Sequence, residues 1–260
     1  MNQRSGLLGF FLGLSVLAAA SCVPLAPGDG NGNPPPGDLE ELFLRFDFRA
    51  GSALGWEADV TDFPPDQEGN LQFTAELRAF PPEMGVNGTG LYVQSFNTPD
   101  DLFTFIKREL GPGDGIVAGQ AYRLIYDIYF ASNAPTGCFG VGGSPGDSVY
   151  LKAGGASTEP LAVLAADGGR FELNVDKGDQ AEGGADASLV STIANGIPCE
   201  QLVDLQAAPY VLLLRNHMHT PEVRASDDGE LWLLIGIDSG FESLTGLYYQ
   251  RIEVTLEPVE

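Results

Sequence analysis

The sequence predicts an all-β fold, a β-sandwich of jelly-roll type built as one domain over residues 40–260. Three observations predict it. Short apolar runs alternate between inward and outward side chains. Gly (34 of 260 residues) and Pro (18) fall mostly between those runs as turn punctuation. No stretch sustains an apolar stripe at the i, i+3, i+4, i+7 spacing of a packed helix. A body of ~220 residues is ordinary for a single sandwich, and no repeat of fixed period interrupts it.

The strands can be justified in chain order. Leu42–Phe48, Leu71–Leu77, Leu91–Phe96 and Phe103–Glu109 are short runs rich in Leu, Phe and Val, with turn residues between them. Tyr122–Phe130 sets Tyr122, Leu124, Tyr126, Ile128 and Phe130 on one face. Arg123, Ile125, Asp127 and Tyr129 fall on the other, the signature of a central strand with one wetter side. Val149–Ala153, Arg170–Val175, Tyr210–Arg215 and Leu231–Ile237 follow. The closing run Tyr248–Leu256 predicts Tyr248, Gln250, Ile252, Val254 and Leu256 inward, with Tyr249, Arg251, Glu253 and Thr255 outward. Ser188–Asn195 is the one segment that reads as a short helix.

The N-terminus has a different character. Arg4 precedes an apolar and small run, Leu7–Ala20, which closes on Ala19-Ala20-Ser21-Cys22. Such a run rises only ~21 Å as a helix, short of a ~30 Å hydrocarbon core, so it reads as a cleavable export signal over residues 1–21. It resembles a bacterial lipoprotein signal, whose lipobox ends in a cysteine that is acylated and becomes the first mature residue. Ala19 stands where Leu is usual. That resemblance implies lipid on Cys22 and, in a host with two membranes, the outer membrane or cell surface; Val23 is not the Asp of an inner-membrane retention signal. Val23–Asp38 is nearly all Pro, Gly, Asn, Asp and small residues, so 22–39 reads as the lipidated cysteine and a flexible linker.

Once Cys22 is assigned to lipid, Cys138 and Cys199 remain, and an exported chain favours a disulfide between them. Asp and Glu number 36 against 13 Lys and Arg, and only Lys107, Lys152 and Lys177 are lysines. A net charge of −23 argues against nucleic acid and against anionic headgroups, leaving the lipid as the membrane attachment. Acidity of this kind serves solubility at high salt, cation binding, or a basic partner.

The segment Asn174–Asp186 gathers Asp176, Asp179, Glu182 and Asp186 in a Gly-rich loop. Such hard oxygens suit calcium, although the spacing is not that of an EF-hand and turn-capping is the competing reading. Asn97, Asp100 and Asp101, and Asp238 with Glu242, form lesser acidic loops. His217 and His219 read first as a solvated loop pair; on a strand they would share a face and meet one metal, with Glu222 as third ligand. Gly137–Gly146 lacks the order of a nucleotide loop. Gly236–Gly240 is G-x-x-S-G and not the nucleophile elbow. No catalytic residue is assigned.

Asn97–Leu110, Ala131–Ser157, Asn174–Ser188 and Leu231–Val254 resemble an uncharacterised family of bacterial secreted proteins and lipoproteins, over most of residues 43–256. Phe46-Asp47-Phe48, Gly55-Trp56 and the Tyr-rich closing strand are similar to jelly-roll carbohydrate-binding modules. That likeness implies a non-catalytic domain binding glycan or another extracellular ligand, with Trp56, Tyr92, Phe96, Tyr129 and Tyr249 as candidate sugar platforms. The rival functions are an exported hydrolase using two carboxylates and a structural envelope protein. Replacing Cys22 by Ala is expected to abolish palmitate labelling and move the chain from the membrane fraction to the soluble one. Retention in the membrane fraction would refute lipidation.

Overall fold

The structure, a computed structural model, describes residues 39–98, 100–204 and 208–259; Cys22 and its flanking signal and linker lie outside them. Fifteen strands are described. They are β1 (Leu42–Asp47), β2 (Glu57–Thr61), β3 (Thr74–Ala79), β4 (Thr89–Phe96), β5 (Leu102–Leu110), β6 (Ala121–Ser132), β7 (Val149–Ala156) and β8 (Ala162–Leu164). After these come β9 (Phe171–Leu173), β10 (Gly178–Asp179), β11 (Glu182–Gly183), β12 (Ala187–Thr192), β13 (Val211–Arg224), β14 (Leu231–Ser239) and β15 (Leu244–Val259).

Two antiparallel sheets face each other. The six-stranded sheet runs β13-β6-β15-β4-β3, with β1 also on β15; the five-stranded sheet runs β12-β7-β14-β5-β2. From β4 to β7, and again from β12 to β15, the chain steps from one sheet to the other, the crossing pattern of a jelly roll. Between the sheets lie Tyr122, Tyr126, Phe130, Ile252 and Val254 from one side and Leu151, Leu233, Ile235 and Ile106 from the other. The expected inward face of β6 is therefore the observed one.

Strand β15 shows where pattern and structure part. Its first half, Leu244–Tyr249, pairs with β4, and its second half, Arg251–Leu256, pairs with β1. Gln250 is the extra residue at the handover, and the register with β6 shifts between Tyr249 and Arg251. One inserted residue reverses the facing of everything before it. Ile252, Val254 and Leu256 point inward as expected, but Tyr249 joins the core and Tyr248 turns outward. Residues 188–195 also differ from expectation: Ser188–Thr192 belongs to β12, paired along β7. Its β-branched composition suits a pleated edge, and pairing overrides any local helical tendency.

The five-stranded sheet has a third layer. Residues 157–186, including β8 to β11, fold back over its outer face and seal Phe103, Phe105, Ala187 and Leu234 beneath Leu173 and Val175. On the outer face of the six-stranded sheet, the described residues form a smaller cover in which Phe80, Met84, Val86 and Tyr210 pack on Tyr92 and Tyr248.

The disulfide joins Cys138 and Cys199, 61 residues apart in sequence. It is reinforced by a bridge between Thr136 and Pro198 and by hydrogen bonds from Thr136 N–H to Ile197 O (2.9 Å) and from Cys199 N–H to Thr136 O (3.0 Å). Together these fasten the loop after β6 to the loop after β12. Replacing both cysteines by Ser is expected to lower unfolding free energy by about 4 kcal/mol, read from urea midpoints at constant slope. An unchanged midpoint would show that the loops are held by packing alone.

Candidate functional site

Of the five aromatic side chains expected to form a sugar platform, three are buried. Trp56 is 4% exposed and packs edge-to-face on Phe46 at 5.5 Å. Tyr249 is in the core because of the Gln250 bulge. Tyr92 points outward but is buried in a second aromatic cluster, 4.6 Å from Tyr248, which also contacts Phe80 and Tyr210. The Arg78 guanidinium lies 3.9 Å from the Tyr92 ring. Tyr129 is half-buried under the Arg251 guanidinium at 3.8 Å. Phe96 is half-buried at the end of β4, opposite Leu244. The flat platform is therefore not assembled. Large rings with much apolar area to bury go to interiors first.

A different surface forms a cleft. A cleft of about 470 Å³ opens where the disulfide-tied loop meets the start of β15, lined by Asn133, Pro135, Phe139, Pro145, Phe241, Ser243, Thr245 and Gly246 among others. Phe139 follows Cys138 directly and is 95% exposed, whereas Cys138 is buried. The loop holding Phe139 is fixed by close backbone approaches. A Cβ on Gly140 would meet the Phe241 ring, and one on Gly142, at φ +71°, would meet Gly240 O. Asp147 braces the same loop, accepting from Gly137 N–H (2.7 Å) and Ser144 Oγ–H (2.9 Å). Among the lining residues Thr245 is 7% exposed, and its Oγ1 is buried with no hydrogen-bond partner among the described residues. Among the described residues, no charged side chain lines the cleft. An exposed ring, a second ring and uncharged polar side chains such as Asn133 and Ser243 suit an uncharged ligand with one apolar face and several hydroxyls. A Phe in a Gly-rich loop, away from any alternating run, was the signal in the sequence for this site.

The acidic loop expected to hold calcium is organised otherwise. Asp176 accepts backbone N–H groups from Gly178 and Ala185 (2.9 Å each), and Asp186 accepts from Asp176 N–H at 2.7 Å. Asp179 and Glu182 face each other across the β10–β11 hairpin, and both are exposed. The cation holding this loop is the Lys152 ammonium, which donates to Lys177 O (2.8 Å), Glu182 O (2.9 Å) and Asp238 Oδ2 (2.9 Å). Among the described residues, no three His, Cys, Asp or Glu side chains are arranged to hold a metal ion.

The charge cluster extends further. Lys177 lies 2.9 Å from Asp238 Oδ2 and 3.0 Å from Asp62 Oδ2, and Arg170 lies 3.1 Å from Asp101. Asp62, Asp101, Arg170 and Lys177 line a depression of about 310 Å³. Burial pushes Asp62 above the usual carboxylate range, and the Lys177 charge only partly offsets it. Burial, then the Asp238 charge, pushes Asp101 up to about 6. Burial opposes ionisation of Asp238 too, but Lys177 and Lys152 outweigh it and hold its pKa down. Burial lowers Lys152, while Asp238 and Asp62 overcome burial at Lys177 and raise it. Of the lesser acidic loops, Asn97 is buried and donates to Ser239 O at 2.6 Å, and Asp238 belongs to the cluster.

His217 and His219 do share a face of β13, and they meet at a serine. Ser188 Oγ lies 2.8 Å from His217 Nε2 and 2.7 Å from His219 Nδ1, with His219 Nε2 3.1 Å from Ala185 O. Glu222 is exposed beyond a register shift. The pair is neither a solvated loop nor a three-ligand site. It closes the open edge of the sandwich between β12 and β13, beside Arg215 Nε–H donating to Ser191 Oγ at 3.0 Å.

No protein family matches the chain by sequence, and no curated protein is similar to it. Several solved structures are similar in fold. A carbohydrate-binding module described for specific mannan recognition is 10% identical, the alignment covering 84% of this chain and 99% of that one, at a TM-score of 0.38. The K1 cleaved adhesin domain of Lys-gingipain from Porphyromonas gingivalis W83 is also 10% identical over 84% of this chain and 99% of that one, at 0.36. A structure from a study of promiscuous carbohydrate-binding modules of the β-sandwich superfamily is 11% identical over 83% of this chain, which spans 61% of that one, at 0.35.

The histidine pair makes a pH prediction. Burial, then the neighbouring His219, holds His217 down at about 4, and burial lowers His219 too. The folded state therefore resists protonation that the unfolded chain accepts near 6.5. This contribution is complete above pH 6.5 and is lost as pH falls from there toward 4, by roughly 3 kcal/mol for His217. Asp101 works with the opposite sign, its contribution present below the ordinary carboxylate pKa and lost as pH rises through about 6. Urea unfolding between pH 7 and 4.5 is expected to show less acid-side loss in His217→Gln. An identical pH profile would place the acid sensitivity elsewhere.

Proposed function

We propose that this chain is an exported lipoprotein, anchored by lipid on Cys22, whose β-sandwich is a non-catalytic glycan-binding module. The observation that carries the binding reading is the cleft beside the disulfide. It presents the exposed ring of Phe139 on a loop braced by Asp147 and by close glycine contacts, in a lining shared with Phe241, Asn133 and Ser243. Sugars pair an apolar ring face with projecting hydroxyls, which is the complement of that arrangement. The absence of charge among the lining residues disfavours phosphorylated or carboxylated ligands. Hydrolysis by a carboxylate pair is the less supported reading: no carboxyl group lines this cleft, and Asp62, Asp101 and Asp238 are tied to Lys177, Arg170 and Lys152. Lipid attachment and an outer-surface location come from the N-terminal sequence, and the Pro/Gly linker supplies reach for a module addressing polysaccharide.

The test is a glycan array followed by affinity electrophoresis on the glycans retained. Phe139→Ala is expected to weaken binding by roughly tenfold or more, as loss of a central aromatic anchor does, with the melting temperature unchanged. Binding that survives Phe139→Ala at full strength would move the site away from this cleft.

A further inference from the structure

The buried pair Lys152 and Asp238 sets an amine against a carboxyl group inside the fold. Both side chains are 0% exposed, on the neighbouring strands β7 and β14, with Lys152 Nζ 2.9 Å from Asp238 Oδ2. Two carbonyls, Lys177 O and Glu182 O, accept from Lys152 Nζ. A neutral amine held by both of its N–H bonds in this way keeps its remaining position, the lone pair, toward Asp238. Asp238 Oδ2 accepts from the Lys177 ammonium (2.9 Å) and from Gln180 N–H (3.0 Å), the donors that would stabilise negative charge on that oxygen. Asp238 Oδ1 is buried with no donor, as is Asp101 Oδ1, and Asp101 is the carboxyl within hydrogen-bonding reach of Asp238.

We propose that Lys152 and Asp238 join in an intramolecular isopeptide bond that staples β7 to β14, with Asp101 as the proton relay. The step balances without a co-reactant. The Lys152 ammonium gives up two protons, its nitrogen bonds to Asp238 Cγ, and Oδ1 leaves with both protons as water. Oδ2 stays as the amide oxygen, held by Lys177 and Gln180. Three features of the site support each part. Burial, and less strongly the neighbouring Lys177 cation, favour the neutral amine at Lys152 against the opposing charge of Asp238. The raised pKa of Asp101 lets it hold and release a proton near neutrality. The fold already sets the reacting groups in contact, so little further ordering is needed. Lys177 is less suited to react, because it lies between two carboxylates that keep it charged.

Intact-mass spectrometry of the purified chain, with the disulfide reduced, decides the matter. A crosslinked chain has a mass one water below that of its sequence. Tryptic mapping should show no cleavage after Lys152 and a branched peptide joining it to Asp238. Asp101→Asn is expected to keep the fold and the full mass, and Lys152→Arg to keep the full mass. A wild-type chain of full mass after prolonged incubation at pH 5–7 overturns the proposal. So does a branch mapped to Lys177 or Asp62. Crosslinking at an unchanged rate in Asp101→Asn overturns the role given to Asp101.

Discussion

The layer formed by residues 157–186 stays on its sheet through buried charge, and the rest of the structure depends on that attachment. All three lysines of the chain are buried, and each holds this layer. Lys107 reaches Glu159 and Pro160 O, Lys152 reaches Lys177 O and Glu182 O, and Lys177 reaches back to Asp62 and Asp238. Ammonium groups in an apolar layer are costly unless fully paired. Here the pairing is nearly complete, so the arrangement specifies one position for the layer and excludes sliding. Leu173 and Val175 then cover the Phe103–Phe105 stack, which an uncovered sheet would expose to water.

That attachment makes the two faces of the sandwich unequal. With the five-stranded sheet covered, the described residues leave open the ends of the sandwich and part of the outer face of the six-stranded sheet. On that face most aromatic rings are already occupied: Tyr92 and Tyr248 by each other, and Tyr129 by Arg251. Among the described residues, Phe43 on β1 and Phe139 are the strongly exposed rings, and Phe139 is the one held in place by a neighbouring disulfide. One covalent bond at this corner therefore fixes the loop that carries the exposed Phe139 ring and with it the proposed binding cleft.

Much of this was legible in the sequence. Alternation in Tyr122–Phe130 marked a central strand and its inward face, because side-chain period and burial are locked together in a pleated sheet. Two leftover cysteines in a chain read as exported marked the disulfide. Lys152 and Asp238 were not legible as a buried pair, because Asp238 reads locally as part of an acidic loop after Leu231–Ile237 and the contact joins residues remote in sequence.

The sequence by itself determined the fold class, most of the long strands, the acidic balance and the disulfide, because each follows from local periodicity, composition or counting, whereas β2, β12 and most short strands of the outer layer lacked such a signal. Only the tertiary structure decided which aromatics face out, since the single extra residue Gln250 inverts the facing of Tyr248 and Tyr249 through register with two partner strands. Only the tertiary structure brought Lys152 into the acidic loop, in the place a calcium ion was expected to take, because residues 152, 177, 182 and 238 meet through pairings remote in sequence. Local pattern reports how far a side chain is from water. Which charge it will find there is set by the topology.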